Sequence, residues 1–351
     1  MNKNFKLHLK QMHPGVAEMD AVYQFYCEYG DRILEKTGDP LFMLYTNDKD
    51  IKINGSDVLV PYSVRQEKRK VIITAELTDY LDKECKDIIT DKYVLDFNLT
   101  FSDAPSFFDD FETYDKNKWT GGSASWEYGE ACTDGFVENS DMVFRLTKED
   151  QGKIITTANT FSQTYGCFSA SIKFPEMRNS ACGSNAAFWL CSNVLKPDKI
   201  MFKRNPKVSE PFGRAHAGEI DIIEYSPSFG DFGTSSYHHF GWGDYHINSG
   251  MGEIPMPGIR EGYHTVSLVW IPDALYWYYD GKLTRVYDQE GIKDAGKELG
   301  GDMVILLQSC VHGFLDEKNK FTGEKTWIGK TREEDFPIEM RTDWVKVHSL
   351  K

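Results

Sequence analysis

The sequence has no uninterrupted apolar run near the roughly 20 residues that a membrane-spanning helix needs, which argues against a helical span. Positive charge is in deficit: 40 Lys and Arg against 54 Asp and Glu give a formal net charge of −14. That balance argues against a nucleic-acid partner or an anionic lipid surface, both of which call for a basic face. The 7 cysteines (Cys27, Cys85, Cys132, Cys167, Cys182, Cys191 and Cys310) include no CxxC pair and no Cys/His ladder. Neither a zinc site nor a dense disulfide framework is indicated, and most are expected to be buried thiols. The opening stretch MNKNFKLHLKQMHPG is basic but has no continuous apolar segment. No secretory signal is therefore read there, which leaves the compartment open. Helical periodicity is scarce, and no repeat of 20 to 50 residues is visible.

Aromatic residues are plentiful: 8 Trp, 18 Tyr and 22 Phe make 14% of the chain. Such rings build cores, and Trp and Tyr also suit the flat faces of sugars. With 351 residues, two domains are expected. Residues 1–104 carry short strand-like runs (LFMLY, DVLVPYSV, KVIITAEL, YVLDFNLTF) separated by polar turns, the pattern of a small β-sandwich. One segment, AEMDAVYQFYCEYGDRILE, also reads as a helix. SDAPSFF marks a boundary. Residues 105–351 read as an all-β, two-sheet antiparallel jelly roll, with Asp280-Gly281 as a hairpin turn between two aromatic strands.

Within this second region GEIDIIEY, residues 218–225, departs from strand alternation. Successive side chains of a strand point to opposite faces, so Glu219 and Asp221 share a face opposite Ile220 and Ile222. An unbroken count then sends Glu224 into the apolar layer, where a bare carboxylate is costly. One extra residue at Ile222-Ile223, a β-bulge, returns Glu224 to the side of the other acids. Three acids on one face repel one another and push some pKa values up. Glycoside hydrolysis uses one ionised and one protonated carboxyl group in this way. A plain half-exposed strand with Glu224 beyond its end fits the same eight residues.

GEIDIIEY resembles the ExDxxE signature of glycoside hydrolase family 16 in its bulged, laminarinase-like form. Seven further segments resemble that family in the same order: FFDDFETYDKNKW, YGCFSASIKFP, NAAFWLC, YHHFGWG, YHTVSLVW, LYWYYDGK and FPIEMRTDWVKVHS. The resemblance implies Glu219 as nucleophile, Glu224 as general acid/base and Asp221 as their electrostatic partner in a retaining endo-β-glycosidase. It implies no cofactor for catalysis, a polysaccharide partner, a monomer, and an extracellular or cell-surface location. β-1,3-Glucan is the leading substrate; agar, carrageenan and mixed-linkage glucan stay open. So do transglycosylation and a non-catalytic lectin on the same scaffold.

Candidate substrate-binding residues are Trp189, His239, Trp242, Gln308 and Trp126. The resemblance places Trp189 beside the nucleophile, with a core tryptophan as the other reading. It also prefers His239 over His238, since strand alternation admits only one of them to the cleft. Trp242 lies among glycines, where a loop suits sugar stacking, and Trp126 is a candidate for the far end of a cleft. Gln308, inside MVILLQSC, either faces substrate or is satisfied within the sandwich. Asp110 and Asp343 match positions that hold a structural calcium in family members. Other acids, such as Asp109, are expected to be solvated. The basic stretch at residues 196–217 is expected to border the cleft.

Overall fold

A computed structural model describes residues 5–11, 14–34, 42–78, 88–97, 99–121, 132–158, 160–176, 183–192, 217–240, 246–248, 251–287, 302–311 and 330–351. It divides into two units: Met1–Ser102 with Leu350–Lys351, and Asp103–Ser349. No helix among the described residues is long and apolar enough to cross a membrane.

In the first unit, a five-stranded sheet and a three-stranded sheet enclose one core. The core includes Phe25, Val58, Ile73 and Ala75. The segment with two sequence readings is extended, as strands Ala21–Tyr29 and Arg32–Leu34. Its alternation is plain in the first strand, where Ala21, Tyr23, Phe25 and Cys27 face inward. The buried guanidinium of Arg65 holds residues 14–19, donating to the carbonyls of Pro14 (2.6 Å), Val16 (2.9 Å) and Met19.

The second unit is a jelly roll of two sheets, each with eight described strands. One sheet runs Thr120–Gly121, Gly152–Thr156, Met303–Val311, Ser184–Ser192, Ala217–Tyr225, Phe232–Phe240 and His246–Asn248, with Gly252–Pro255 also paired to Phe232–Phe240. The other is centred on Ile338–His348, Gly166–Lys173 and His264–Ile271. Between them lies a core of large side chains, among them Phe168, Phe188, Ile220, Trp270, Trp277 and Met340. Asp280 and Gly281 form the expected two-residue hairpin, both with positive φ (48° and 72°). That geometry is open to glycine and tolerated by aspartate.

Asp109 is a correction to the sequence reading. It is only 3% exposed, accepts a 2.6 Å hydrogen bond from Trp119 Nε1, and lies 3.4 Å from Lys118 Nζ. The period-two run Phe107, Asp109, Phe111 turns all three inward, and the indole and ammonium satisfy the carboxylate that is carried in with the rings.

Candidate active site

The central strand Ala217–Tyr225 breaks step where the side-chain count says it must. Against Phe232–Phe240, Glu219 pairs with His238, Asp221 with Ser236, and Glu224 with Thr234. Three steps on the acid strand thus oppose two on its neighbour. Against Ser184–Ser192, Asp221 faces Trp189, Ile223 faces Phe188 and Glu224 faces Ala187. Ile222 is the surplus residue against Ser184–Ser192, and against Phe232–Phe240 the shift falls across Ile222 and Ile223. Ile220, Ile222 and Ile223 all enter the core, while Glu219, Asp221 and Glu224 project from the opposite face. The hydrophobic demand of three isoleucines and the common facing of three acids are met by one device.

The bulge is secured from below. Trp277, fully buried on the other sheet, donates its indole N–H to the main-chain carbonyl of Asp221 at 3.0 Å.

On the acid face the rungs of the sheet can be followed strand by strand. Gln308, Ala187, Glu224, Thr234 and Glu253 form one rung. Leu306, Trp189, Asp221 and Ser236 form the next, followed by Val304, Cys191, Glu219 and His238. Asp221 is the hub. Its Oδ2 accepts from Ser236 Oγ and, at 3.0 Å, from His238 Nε2. The same His238 nitrogen lies 2.9 Å from Ser236 Oγ and 3.8 Å from Glu219 Oε1. Burial opposes charge on His238, but the hydrogen bond and charge of Asp221, together with Glu219 and Glu224, outweigh it and push the imidazole up to about 9. Glu224 moves the same way for another reason. Burial and the nearby charge of Asp221 raise its carboxyl to about 8, partly countered by a hydrogen bond from Asn185 and by His238. At neutral pH the site therefore holds a protonated Glu224 beside an Asp221–His238 ion pair.

Glu219, Asp221 and His238 are also the only group of three potential metal ligands close together among the described residues. In this set the imidazole nitrogen is already engaged by Asp221 Oδ2 at 3.0 Å, so the three groups form a hydrogen-bonded network.

The other candidates fall out unevenly. The histidine brought to the acids is His238, where the sequence reading preferred His239. His238 shares its face with Ser236, and the side chain of His239 lies outside the described residues. Trp189 lies on the rung of Asp221, yet it is only 2% exposed. It packs with Ile154, Cys191, Val304 and Leu306 in a second apolar cluster on the acid face. It is thus a packed wall rather than an open stacking surface. Gln308 shares the rung of Glu224 and is buried there, donating to Cys310 Sγ at 3.4 Å. Trp126, Trp242 and residues 196–216 of the basic stretch lie outside the described residues. Asp110 is exposed and follows the edge strand Phe107–Asp109, which pairs with the strand that carries Asp343. Asn185, Ser236 and Trp277 were not singled out from the sequence, and all three touch the acids or their backbone.

Residues 123–297, which include all three acids and His238, match the family described as Glycosyl hydrolases family 16. The chain carries a glycosyl hydrolase family 16 domain. The fold of this family 16 domain is shared with solved structures at low identity. The laminarinase from Flavobacterium sp. UMI-01 is 19% identical with a TM-score of 0.53, covering 70% of this chain and 100% of its own. The laminarinase catalytic domain from Thermotoga maritima MSB8 is 21% identical with a TM-score of 0.52, covering 71% and 98%. The endo-beta-1,3-glucanase from Pyrococcus furiosus is 21% identical with a TM-score of 0.52, covering 70% and 94%. No curated protein matches the chain.

Proposed function

We propose that the family 16 domain is a retaining, endo-acting glycoside hydrolase that cleaves internal β-glycosidic bonds of a polysaccharide, with β-1,3-glucan as its leading substrate. The observation that carries this reading is the bulge at Ile222, which sets Glu219 and Glu224 on one face with Asp221 between them. Family membership supports glycoside hydrolysis. The laminarinases and the endo-β-1,3-glucanase that share the fold support the choice of glucan.

In this reading ionised Glu219 attacks the anomeric carbon while Glu224, protonated near neutral pH, gives its proton to the departing oxygen. Glu224 then takes a proton from water, which attacks the glycosyl–Glu219 ester and releases the sugar with its configuration retained. Asp221 and His238 serve as a fixed charge pair beside Glu219, 3.8 Å from it at the imidazole nitrogen. They limit the build-up of negative charge as the ester breaks and the carboxylate returns. An uncleaved polysaccharide does not cross membranes, so an extracellular or cell-surface location belongs to the same proposal. Asp110 and Asp343 are proposed as oxygen ligands of a structural calcium, with main-chain carbonyls or water completing the shell.

The test is reducing-end release from β-1,3-glucan, mixed-linkage glucan, agar and carrageenan, with the anomer of the first product read by proton NMR. The expected result is release of β-anomeric oligosaccharides from β-1,3-glucan. Absence of reaction on every polymer, with binding retained, would make the domain a lectin instead.

A further inference from the structure

One residue beside Glu224 has a geometry that the reaction, as described, does not use. Asn185 lies on the strand Ser184–Ser192, two residues from Ala187, the direct cross-strand partner of Glu224. Residues two apart on a strand share a face, so Asn185 is the diagonal neighbour of Glu224 on the acid face. Its Nδ2 donates to Glu224 Oε1 at 2.9 Å. The side chain is only 7% exposed, and its Oδ1 is buried with no hydrogen-bond partner among the described residues. On the other flank of Glu224, Thr234 is 6% exposed, and its Oγ1 is likewise buried without a partner.

We propose that Asn185 is a positioning residue for Glu224: its amide nitrogen fixes one carboxyl oxygen, so that the other carries the proton toward the leaving group, and its amide oxygen takes a hydroxyl of the bound sugar. The inference rests on the retaining-hydrolase reading above and assigns Asn185 a part in it.

Hydrogen-bond capacity decides where the proton sits. Oε1 accepts from the amide, so a proton placed on Oε1 would compete with the N–H already aimed there. The proton therefore belongs on Oε2. A primary amide offers two donors and one acceptor oxygen. With the donor side committed to Glu224, the acceptor side remains for an O–H donor. A buried acceptor left unmatched costs about 1–3 kcal/mol, and a sugar hydroxyl is a ligand that can remove that cost. Thr234 Oγ1, able both to donate and to accept, offers the same kind of ligand a second contact. The amide also acts on proton affinity. A donor to the carboxyl favours its anion, so Asn185 keeps Glu224 able to release the proton that burial would otherwise hold.

The experiment compares the enzyme with Asn185→Leu, which keeps the branched shape and removes both polar atoms, and with Asn185→Ala should the first fail to fold. Two readouts are taken: the pH dependence of kcat/KM on β-1,3-glucan, and a carbon NMR titration of the Glu224 carboxyl in the free protein. The expected result is that the alkaline limb and the Glu224 titration both move upward by about one pH unit. In the same variants kcat should fall by about tenfold. A packing role alone would leave the titration where it stands in Asn185→Leu, and that outcome overturns the proposal while leaving the hydrolase reading intact. Conversely, a wild-type protein that cleaves no polymer removes the parent reading, and the titration still shows whether Asn185 governs Glu224.

Discussion

Trp277 reaches across the core from one sheet to donate its indole N–H to the carbonyl of Asp221 on the other, at 3.0 Å. The bond ends beside the one residue out of step in the acid strand, and it joins the core of the jelly roll to the floor of its site. Arg285 stacks on the same indole, 4.8 Å from its ring centroid, and also donates to Ser235 Oγ at 2.7 Å. The bulge is therefore braced by a tryptophan that is itself braced.

Replacing Trp277 with phenylalanine removes this donor and leaves a buried carbonyl short of a partner. Stability should fall by about 1–3 kcal/mol, measured by urea unfolding. In the surviving folded protein kcat should fall more than KM rises, because the loosened segment carries the acids. An unchanged unfolding midpoint would show that the bulge does not depend on the indole.

The carboxyl pair is tested by isosteric amides. Glu219→Gln and Glu224→Gln should each lower kcat by at least a thousandfold with the far-ultraviolet dichroism unchanged. The magnitude follows from removing a nucleophile or a general acid from a reaction that needs both. Near wild-type turnover in either purified variant would remove that residue from its role.

The pH dependence follows from Glu224, raised to about 8. Its acid form is the active form in the first step, so kcat/KM should decline as pH rises through about 8. Log kcat/KM against pH, taken from 5 to 10, locates that limb. A decline already complete by pH 6 would contradict a buried, protonated Glu224.

His238 makes a separate prediction about stability. Its imidazole goes from 6.5 to about 9 on folding, so the folded protein binds the proton more tightly than the unfolded chain. The resulting stabilisation is fully present below pH 6.5 and is lost as pH rises through about 9. Raised Glu224 contributes in the same direction between 4.5 and about 8. In His238→Gln the fall in Tm between pH 6.5 and 9 should be shallower than in the wild type. Parallel Tm curves for the two proteins would show that the imidazole is not held as a cation.

Much of the site is legible in eight residues, because alternation and burial conflict there and one extra residue resolves the conflict. The partners are harder to read. Asn185 begins the apolar run NAAFWLC, and nothing in its spacing points at Glu224; their contact depends on which strands are neighbours. Trp277 reads as one more core aromatic in LYWYY, and only the depth of the sandwich reveals where its N–H ends. His238 was recoverable: it shares parity with Ser236, and both face Asp221. Asp109 was recoverable too, from the inward pair Phe107 and Phe111 on either side of it. For the segment at 17–35, alternation of Ala21, Tyr23, Phe25 and Cys27 outweighs the helical reading.

The surplus isoleucine also limits how the gene can change. Without Ile222, the stretch between Glu219 and Glu224 would alternate evenly and still present all three acids together, so losing one residue preserves their phase. A further residue inserted while the bulge stays would reverse it, sending the last acid among hydrocarbon, whereas one that straightens the strand would carry that acid a rung along on the same face. Length variation in this strand is thus filtered by whether a bulge absorbs it, and chains descended from a common ancestor can differ by this one codon without giving up the shared face.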